Sequence, residues 1–305
     1  MDSIQKKLLE EVAGLHEIPA GAYNIRANGQ SAGRKSTENI EILSKDNGTG
    51  IDIIIKPGTK HESVHIPVVL SEAGLSEVVY NDFHIGEGAD VVIIAGCGIH
   101  NGGSEDSRHD GIHRFFLEKN AKVKYVEKHY GSGDGMGKRI MNPKTVVHMD
   151  EGSYMEMESV QIKGVDSTDR LTTAELKAGA TFVVTERLMT HGGQNAVSTF
   201  EVALNGEGAG THITSRAVAR DHSSQLFVSK MAGNYACSGH TECDAIIMDH
   251  ASIRAVPEIS ASCTDASLIH EAAIGKIAGE QIIKLMTLGL TEQEAEEEII
   301  NGFLK

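Results

Sequence analysis

The sequence predicts a mainly β fold: a right-handed parallel β-helix with an N-terminal helix and a C-terminal helical segment. Three observations carry that prediction. A small-residue corner leading into a strand recurs at roughly thirty-residue spacing, and fixed-period self-similarity in that range marks stacked repeats. The residues between corners alternate apolar and polar with the period of a strand. The chain is 40% apolar yet only 4% aromatic, with no Trp, so its core is filled by stacked aliphatic side chains.

The elements follow in order. Ile4, Leu8, Leu9, Val12 and Leu15 form a helical stripe with Pro19 beyond it as a stop, so residues 1–20 are read as an N-terminal helix. The corners are Gly88-Ala89, Asn120-Ala121, Gly152-Ser153, Gly179-Ala180, Gly208-Ala209 and His250-Ala251, at spacings of 32, 32, 27, 29 and 42 residues. Lys122–Val126 alternates along the strand, as does Met155-Glu156-Met157-Glu158, with both Met on one face. Two or three short strands per interval make one coil. A coil cannot bury its apolar face alone, so coils stack at a strand spacing of about 4.8 Å. An antiparallel sandwich also has many short strands, but it needs no such recurrence. The β-helix is placed over residues 21–265.

Residues 266–305 are expected to be helical. Ile277, Gln281, Lys284, Leu285 and Leu288 lead to a closing Gly289. Thr291 and Glu294 make a capping box, Leu290 and Ala295 hold the staple positions, and Ala295, Ile299, Ile300 and Phe303 form the buried stripe. Glu292, Glu294, Glu296, Glu297 and Glu298 form an acidic face, either solvated or a docking surface for a basic partner.

Composition narrows the function. A net charge of −15 disfavours nucleic acid and anionic membrane surfaces. No run reaches the roughly 18 apolar residues of a membrane span. Glu10 and Glu11 follow Lys6 and Lys7 where a signal segment would be apolar, so a cytoplasmic location is expected. Cys97, Cys237, Cys243 and Cys263 are too sparse for a disulfide framework and are expected to be reduced. There is no Walker A run, hence no expected intrinsic ATPase; Gly131–Lys138 is Gly-rich in the wrong order and reads as a mobile loop.

Two groups of soft donors stand out. Cys237, Cys243 and Cys263 precede His270-Glu271, a donor set suited to iron or zinc, although each Cys taken alone is more often a small buried hydrophobe. Cys97, His100, His109 and His113 form the second group, and a metal-dependent enzyme built on them is the alternative function.

The C-terminal stretch carries a resemblance. Thr241-Glu242-Cys243-Asp244-Ala245-Ile246, Ala255-Val256-Pro257-Glu258-Ile259, Leu268-Ile269-His270-Glu271-Ala272-Ala273 and the final Asn301-Gly302-Phe303 occur in an order that resembles the SufB/SufD core domain over residues 239–305, more loosely over 50–238. The resemblance implies a non-catalytic scaffold for iron–sulfur cluster assembly. Two scaffold subunits pair through their β-helices, and their C-terminal helices dock an ABC-type ATPase, SufC. A transient [4Fe-4S] cluster forms at the subunit interface and passes to acceptor proteins. It further implies that Cys243, His270 and Glu271 hold the cluster, with Cys237, Cys263 and Cys97 as lesser candidates. Cys243 and Glu271 match SufB-type positions and His270 a SufD-type one, so a homodimer would supply both halves. The chain departs from the family in lacking a long N-terminal helical region and early clustered cysteines, and Cys263 is displaced from the family's second cysteine.

Overall fold

The computed structural model describes residues 1–46 and 48–305. Helix α1 (Ser3–Ala13) comes first. The strands that follow are β1 (Ala22–Ala27), β2 (Gln30–Lys35), β3 (Ile40–Ser44), β4 (Gly50–Ile55), β5 (Lys60–Leu70), β6 (Ser76–Ile85), β7 (Asp90–His100), β8 (Ser107–Leu117), β9 (Lys122–Ser132) and β10 (Arg139–Met141). They continue as β11 (Lys144–Met149), β12 (Tyr154–Lys163), β13 (Ser167–Leu176), β14 (Thr181–Thr190), β15 (Asn195–Leu204), β16 (Gly210–Ala219), β17 (Ser224–Gly233), β18 (Ser238–Ile247), β19 (Ser252–Ala261) and β20 (Ser267–Gly275). Helices α2 (Gly279–Thr287) and α3 (Glu292–Phe303) close the chain.

The strands alternate between two sheets, so each coil gives one strand to each and the expected β-helix is a two-sheet parallel solenoid. One sheet runs β2-β1-β5-β7-β9-β12-β14-β16-β18-β20. The other runs β19-β17-β15-β13-β10-β8-β6-β4-β3, with β11 following β10 on the rung between β8 and β13. Only the β1–β2 and β3–β4 pairs are antiparallel, among the described residues, and they finish the N-terminal end. At the other end, among the described residues, β19 and β20 have no further strand beside them.

The corners explain the recurrence. Gly88, Asn120, Gly152, Gly179 and Gly208 all have left-handed φ, between 55° and 70°, a conformation open to Gly and, among other residues, best tolerated by Asn and Asp. The next residue in each, Ala89, Ala121, Ser153, Ala180 and Ala209, is buried, and the column is tied vertically: Lys122 N–H donates to Ala89 O at 2.7 Å and Tyr154 N–H to Ala121 O at 2.8 Å. His250-Ala251 does not belong to this column. Ser252 N–H donates to Ser223 O and Ser224 N–H to Gln194 O, which puts Ala251 on the second set of corners. The sixth rung of the first column is Ala236-Cys237, since Gly208 N–H donates to Ala236 O at 2.8 Å and Ser238 N–H to Ala209 O. That reassignment removes the anomalous 42-residue spacing.

The interior fills as the alternation predicts. Met155 and Met157 are fully buried, and Glu156 and Glu158 point outward to Lys124 Nζ at 3.2 and 2.9 Å. Some of the rings pack inside: Phe83 stacks on Phe115 at 4.4 Å, and Phe115 lies 4.9 Å from Tyr125. The helical ends differ in detail from expectation. Gly14, at φ 63°, stops α1 well before Pro19, and its N–H donates to Glu10 O. Ile4 is exposed; Gln5 is buried in its place and donates to Ser71 Oγ at 3.0 Å. The helix rests on Gly96 and Gly98 of β7, where added Cβ atoms would lie 2.8 Å from Val12 Cβ and 3.1 Å from Leu8 Cβ. The helical segment expected from residue 266 begins at Gly279, because Ser267–Gly275 adds one more parallel strand beside β18. The capping box of Thr291 and Glu294 is present. The Gly131–Lys138 loop is packed: Gly135 and Gly137 N–H groups donate to Asn101 O and Gly103 O, and the space a Cβ would need at Gly133, Gly135 and Gly137 is taken by the 101–105 backbone.

If the corner conformation sets the coil, Gly179→Ala costs about 1–2 kcal/mol of stability through left-handed strain, whereas Asn120→Gly is close to neutral. Urea denaturation of the two variants checks this.

Candidate functional site

Cys243 lies on β18, where residues alternate inward and outward, and it points into the solenoid with 1% of its surface exposed. On the ladder it stands between Ser215 of β16 and Ala272 of β20. His270 shares the inward face of β20 and pairs with Thr241. One rung and two residues separate Cys243 from His270, a backbone offset of about 8 Å. His270 Nδ1 is buried without a hydrogen-bond partner. Burial, and then His240, depress its basicity, which keeps the imidazole neutral and able to donate a lone pair. Burial first, then Glu186 and Asp244, push the Cys243 thiol up to about 12, so metal ligation there must release a proton.

The other expected donors are dispersed. Glu271 pairs with Glu242 on the outward face; its carboxylate is 3.3 Å from His240 Nε2 and largely exposed. Cys237 occupies the small-residue corner column, six residues or about 20 Å along the strand from Cys243; burial raises its thiol. Cys263 is half-buried in the turn that leads to β20. Cys97 faces inward on β7, five rungs and about 24 Å from Cys243. His100 lies three residues from Cys97, hence on the opposite face, and its Nδ1 contacts Ser132 Oγ at 3.1 Å. His109 and His113 are on a strand and not a helix, both inward. Among the described residues no three His, Cys, Asp or Glu side chains are already grouped as a metal site.

Sequence reasoning missed the polar column inside the solenoid. The ladder aligns Glu127, Ser159, Glu186, Ser215 and Cys243 on one inward row. Arg170, 2% exposed, donates to Glu127 Oε2 at 2.5 Å and to His129 Nδ1 at 3.1 Å, and its Nε lies 3.9 Å from Glu186 Oε1. Ser198 and Ser215 donate to the two oxygens of Glu186 at 2.6 and 2.7 Å. Burial opposes ionisation of Glu127, but Arg170 and the neighbouring histidines outweigh it and hold the carboxyl well below its usual range. The signal was available: Glu127, His129, Arg170 and Glu186 all occupy inward positions of alternating strands, where a charge is costly unless paired.

The fold and its donors define a parallel β-solenoid whose inward thiol and imidazole lie at the unfinished end of the coil. Comparison with known proteins gives that architecture a family. Residues 71–303 match the SUF system FeS cluster assembly SufBD core domain. The chain is 29% identical over 269 residues to an iron–sulfur cluster assembly SufBD family protein of Methanocaldococcus jannaschii, covering 87% of this chain and 84% of that protein. It is 31% identical over 256 residues to such a protein of Archaeoglobus fulgidus (82% and 66%) and 30% identical over 241 residues to one of Methanothermobacter thermautotrophicus (77% and 57%). The chain belongs to the SufBD family of iron–sulfur cluster assembly proteins. It spans little more than half of the Methanothermobacter relative.

Arg170→Met leaves Glu127 and Glu186 buried without their cation and should cost about 3–5 kcal/mol. Adding Glu127→Gln should recover part of that loss, a coupling readable from a double-mutant cycle of urea melts.

Proposed function

We propose that this protein is a non-catalytic scaffold on which an iron–sulfur cluster is assembled at the C-terminal end of the solenoid, with Cys243 as thiolate donor and His270 as nitrogen donor. The observation that carries this reading is that these two soft donors share the inward face of the last two strands of one sheet, β18 and β20, beside an edge that no further strand covers. The cluster is cargo, and a donor set with one thiolate and weaker nitrogen or oxygen ligands lets it leave. A [4Fe-4S] product and transfer to acceptor proteins follow from the family reading. Glu271, on the outward face, joins the set as an oxygen donor by reaching round the strand edge.

A second copy of the chain supplies the remaining ligands. The bare edges of β19 and β20 favour it, because unpaired N–H and C=O groups on a flat edge invite another strand. A SufC-like ABC ATPase docks on the C-terminal helices. In support, α2 has no buried residue, and Ile283, Met286 and Leu288 expose 63%, 43% and 73% of their surface. ATP-driven movement of that partner would pull on α2 and α3 and open the subunit interface as a rigid-body switch. The metal-dependent enzyme built on Cys97, His100, His109 and His113 is disfavoured. His100 faces away from the other three, and the cavity they border is about 10 Å³, room for no more than a water-sized group.

Anaerobic reconstitution with ferrous iron and sulfide, in the presence of the ATPase, tests the assignment. Cys243→Ala and His270→Ala should each abolish the visible charge-transfer absorbance and Mössbauer signature of the cluster while leaving the far-UV circular dichroism unchanged; a wild-type yield from Cys243→Ala refutes it. Docking is tested separately. Ile283→Glu should lower ATPase co-purification at least tenfold without altering the melting temperature, since Ile283 touches little of its own chain.

A further inference from the structure

A second donor cluster, far from Cys243, is left unused by that function. His109 and His113 stand two residues either side of Gly111 on the inward face of β8. Both are at least nine-tenths buried. A Cβ built on Gly111 would lie 3.5 Å from His109 Nε2 and 3.2 Å from His113 Nε2, so the two nitrogens converge on the space that the absent side chain leaves. Cys97, Glu127 and His129 border the same cavity of about 10 Å³.

The outer nitrogens of both rings are already committed. His109 Nδ1 lies 3.1 Å from Glu77 Oε1, a carboxylate whose other oxygen accepts from Arg26 at 3.1 Å, so Nδ1 is the donor. His113 Nδ1 lies 2.6 Å from Tyr125 Oη. That hydroxyl donates its only proton to Glu127 Oε1 at 3.0 Å, so it accepts from His113, and Nδ1 is again the donor. In the tautomer that these partners select, each ring turns its Nε2 lone pair towards the cavity. A carboxylate or phenol behind an imidazole that presents Nε2 is the arrangement that orients and strengthens metal-ligating histidines. A carboxylate, Glu127, borders the cavity beside the two histidines.

We propose that the cavity over Gly111 binds a single divalent transition-metal ion of borderline softness, such as iron(II) or zinc(II), through His109 Nε2 and His113 Nε2, with the Cys97 sulfur as third ligand once its proton leaves. Metal–nitrogen distances are about 2.1 Å, so coordination brings both rings in over Gly111. The site is about 24 Å from Cys243 and independent of the cluster assignment there.

Cobalt(II) is the probe, added anaerobically to the full chain in its wild-type, Cys243→Ala, His109→Gln, His113→Gln and Gly111→Ala forms. Wild type and Cys243→Ala should each take up one tightly held equivalent with visible d–d bands, and the two histidine variants should lose it. Gly111→Ala is the decisive variant, because its methyl group fills the void while every donor stays, and it too should lose the equivalent with its circular dichroism intact. Cys97→Ser should abolish the near-ultraviolet sulfur-to-cobalt band. Full cobalt uptake by Gly111→Ala, or wild-type uptake that disappears entirely in Cys243→Ala, overturns the proposal; a site that holds only water gives no uptake in any form.

Discussion

Everything in this molecule depends on coils stacking in register. From β12 to β20 each strand pairs with the next of its sheet residue for residue, with no shift between β14 and β16, β16 and β18 or β18 and β20. In a parallel sheet a one-residue slip would turn every inward side chain outward. The left-handed corners prevent it. Each fixes where a coil turns, and each hands its N–H to the coil above, so the corner column sets the register of both sheets at once. A position in one coil thereby acquires a fixed neighbour in every other coil, and a row of inward residues becomes a line through the protein.

That geometry makes an internal polar column affordable. Arg170, Glu127, His129, Glu186 and the serines around them would each be expensive to bury alone. Stacked at strand spacing, they meet within hydrogen-bonding distance: Glu186 is satisfied by Ser198 and Ser215, and Glu127 by Arg170 and Tyr125. Such a network contributes less to stability than apolar packing of equal volume. It runs through a core otherwise rich in Ile, Val, Met and Phe, and Cys97 and Cys243 both open onto it.

Much of the fold was legible in the sequence because its determinants are local. The corners need Gly or Asn at a left-handed φ and a small residue after it, and five of the six corners read that way are one column. His250-Ala251 misled because the solenoid has two corner columns of similar composition, with Gly192, Asp221 and Asp249 taking left-handed φ in the second. Alternation put Met155 and Met157 on one face, and that face is the buried one. The end of the solenoid was less legible: Ser267–Gly275 is short, exposed on most of its length and followed at once by helix, so its strand character comes from pairing with β18 rather than from its own pattern. The candidate site was legible only through the family likeness. No spacing rule relates Cys243 to His270; they are 27 residues apart, one coil, and the coil length brings them to adjacent rungs.

His270 and Glu271, by contrast, are consecutive residues of one strand. Adjacent residues on a strand face opposite sides, so a single β20 cannot present both side chains to the interior. Within one chain the imidazole is committed to the inside and the carboxylate to the outside, where His240 already holds it. A metal centre that uses both must therefore sit at the strand edge, where inside and outside meet, and not within the coil. For these two residues that edge is the free side of β20. An assembly site placed there would bind its cargo at a free strand edge, and it could be closed or opened by whatever lies against that edge, with no unwinding of the solenoid beneath it.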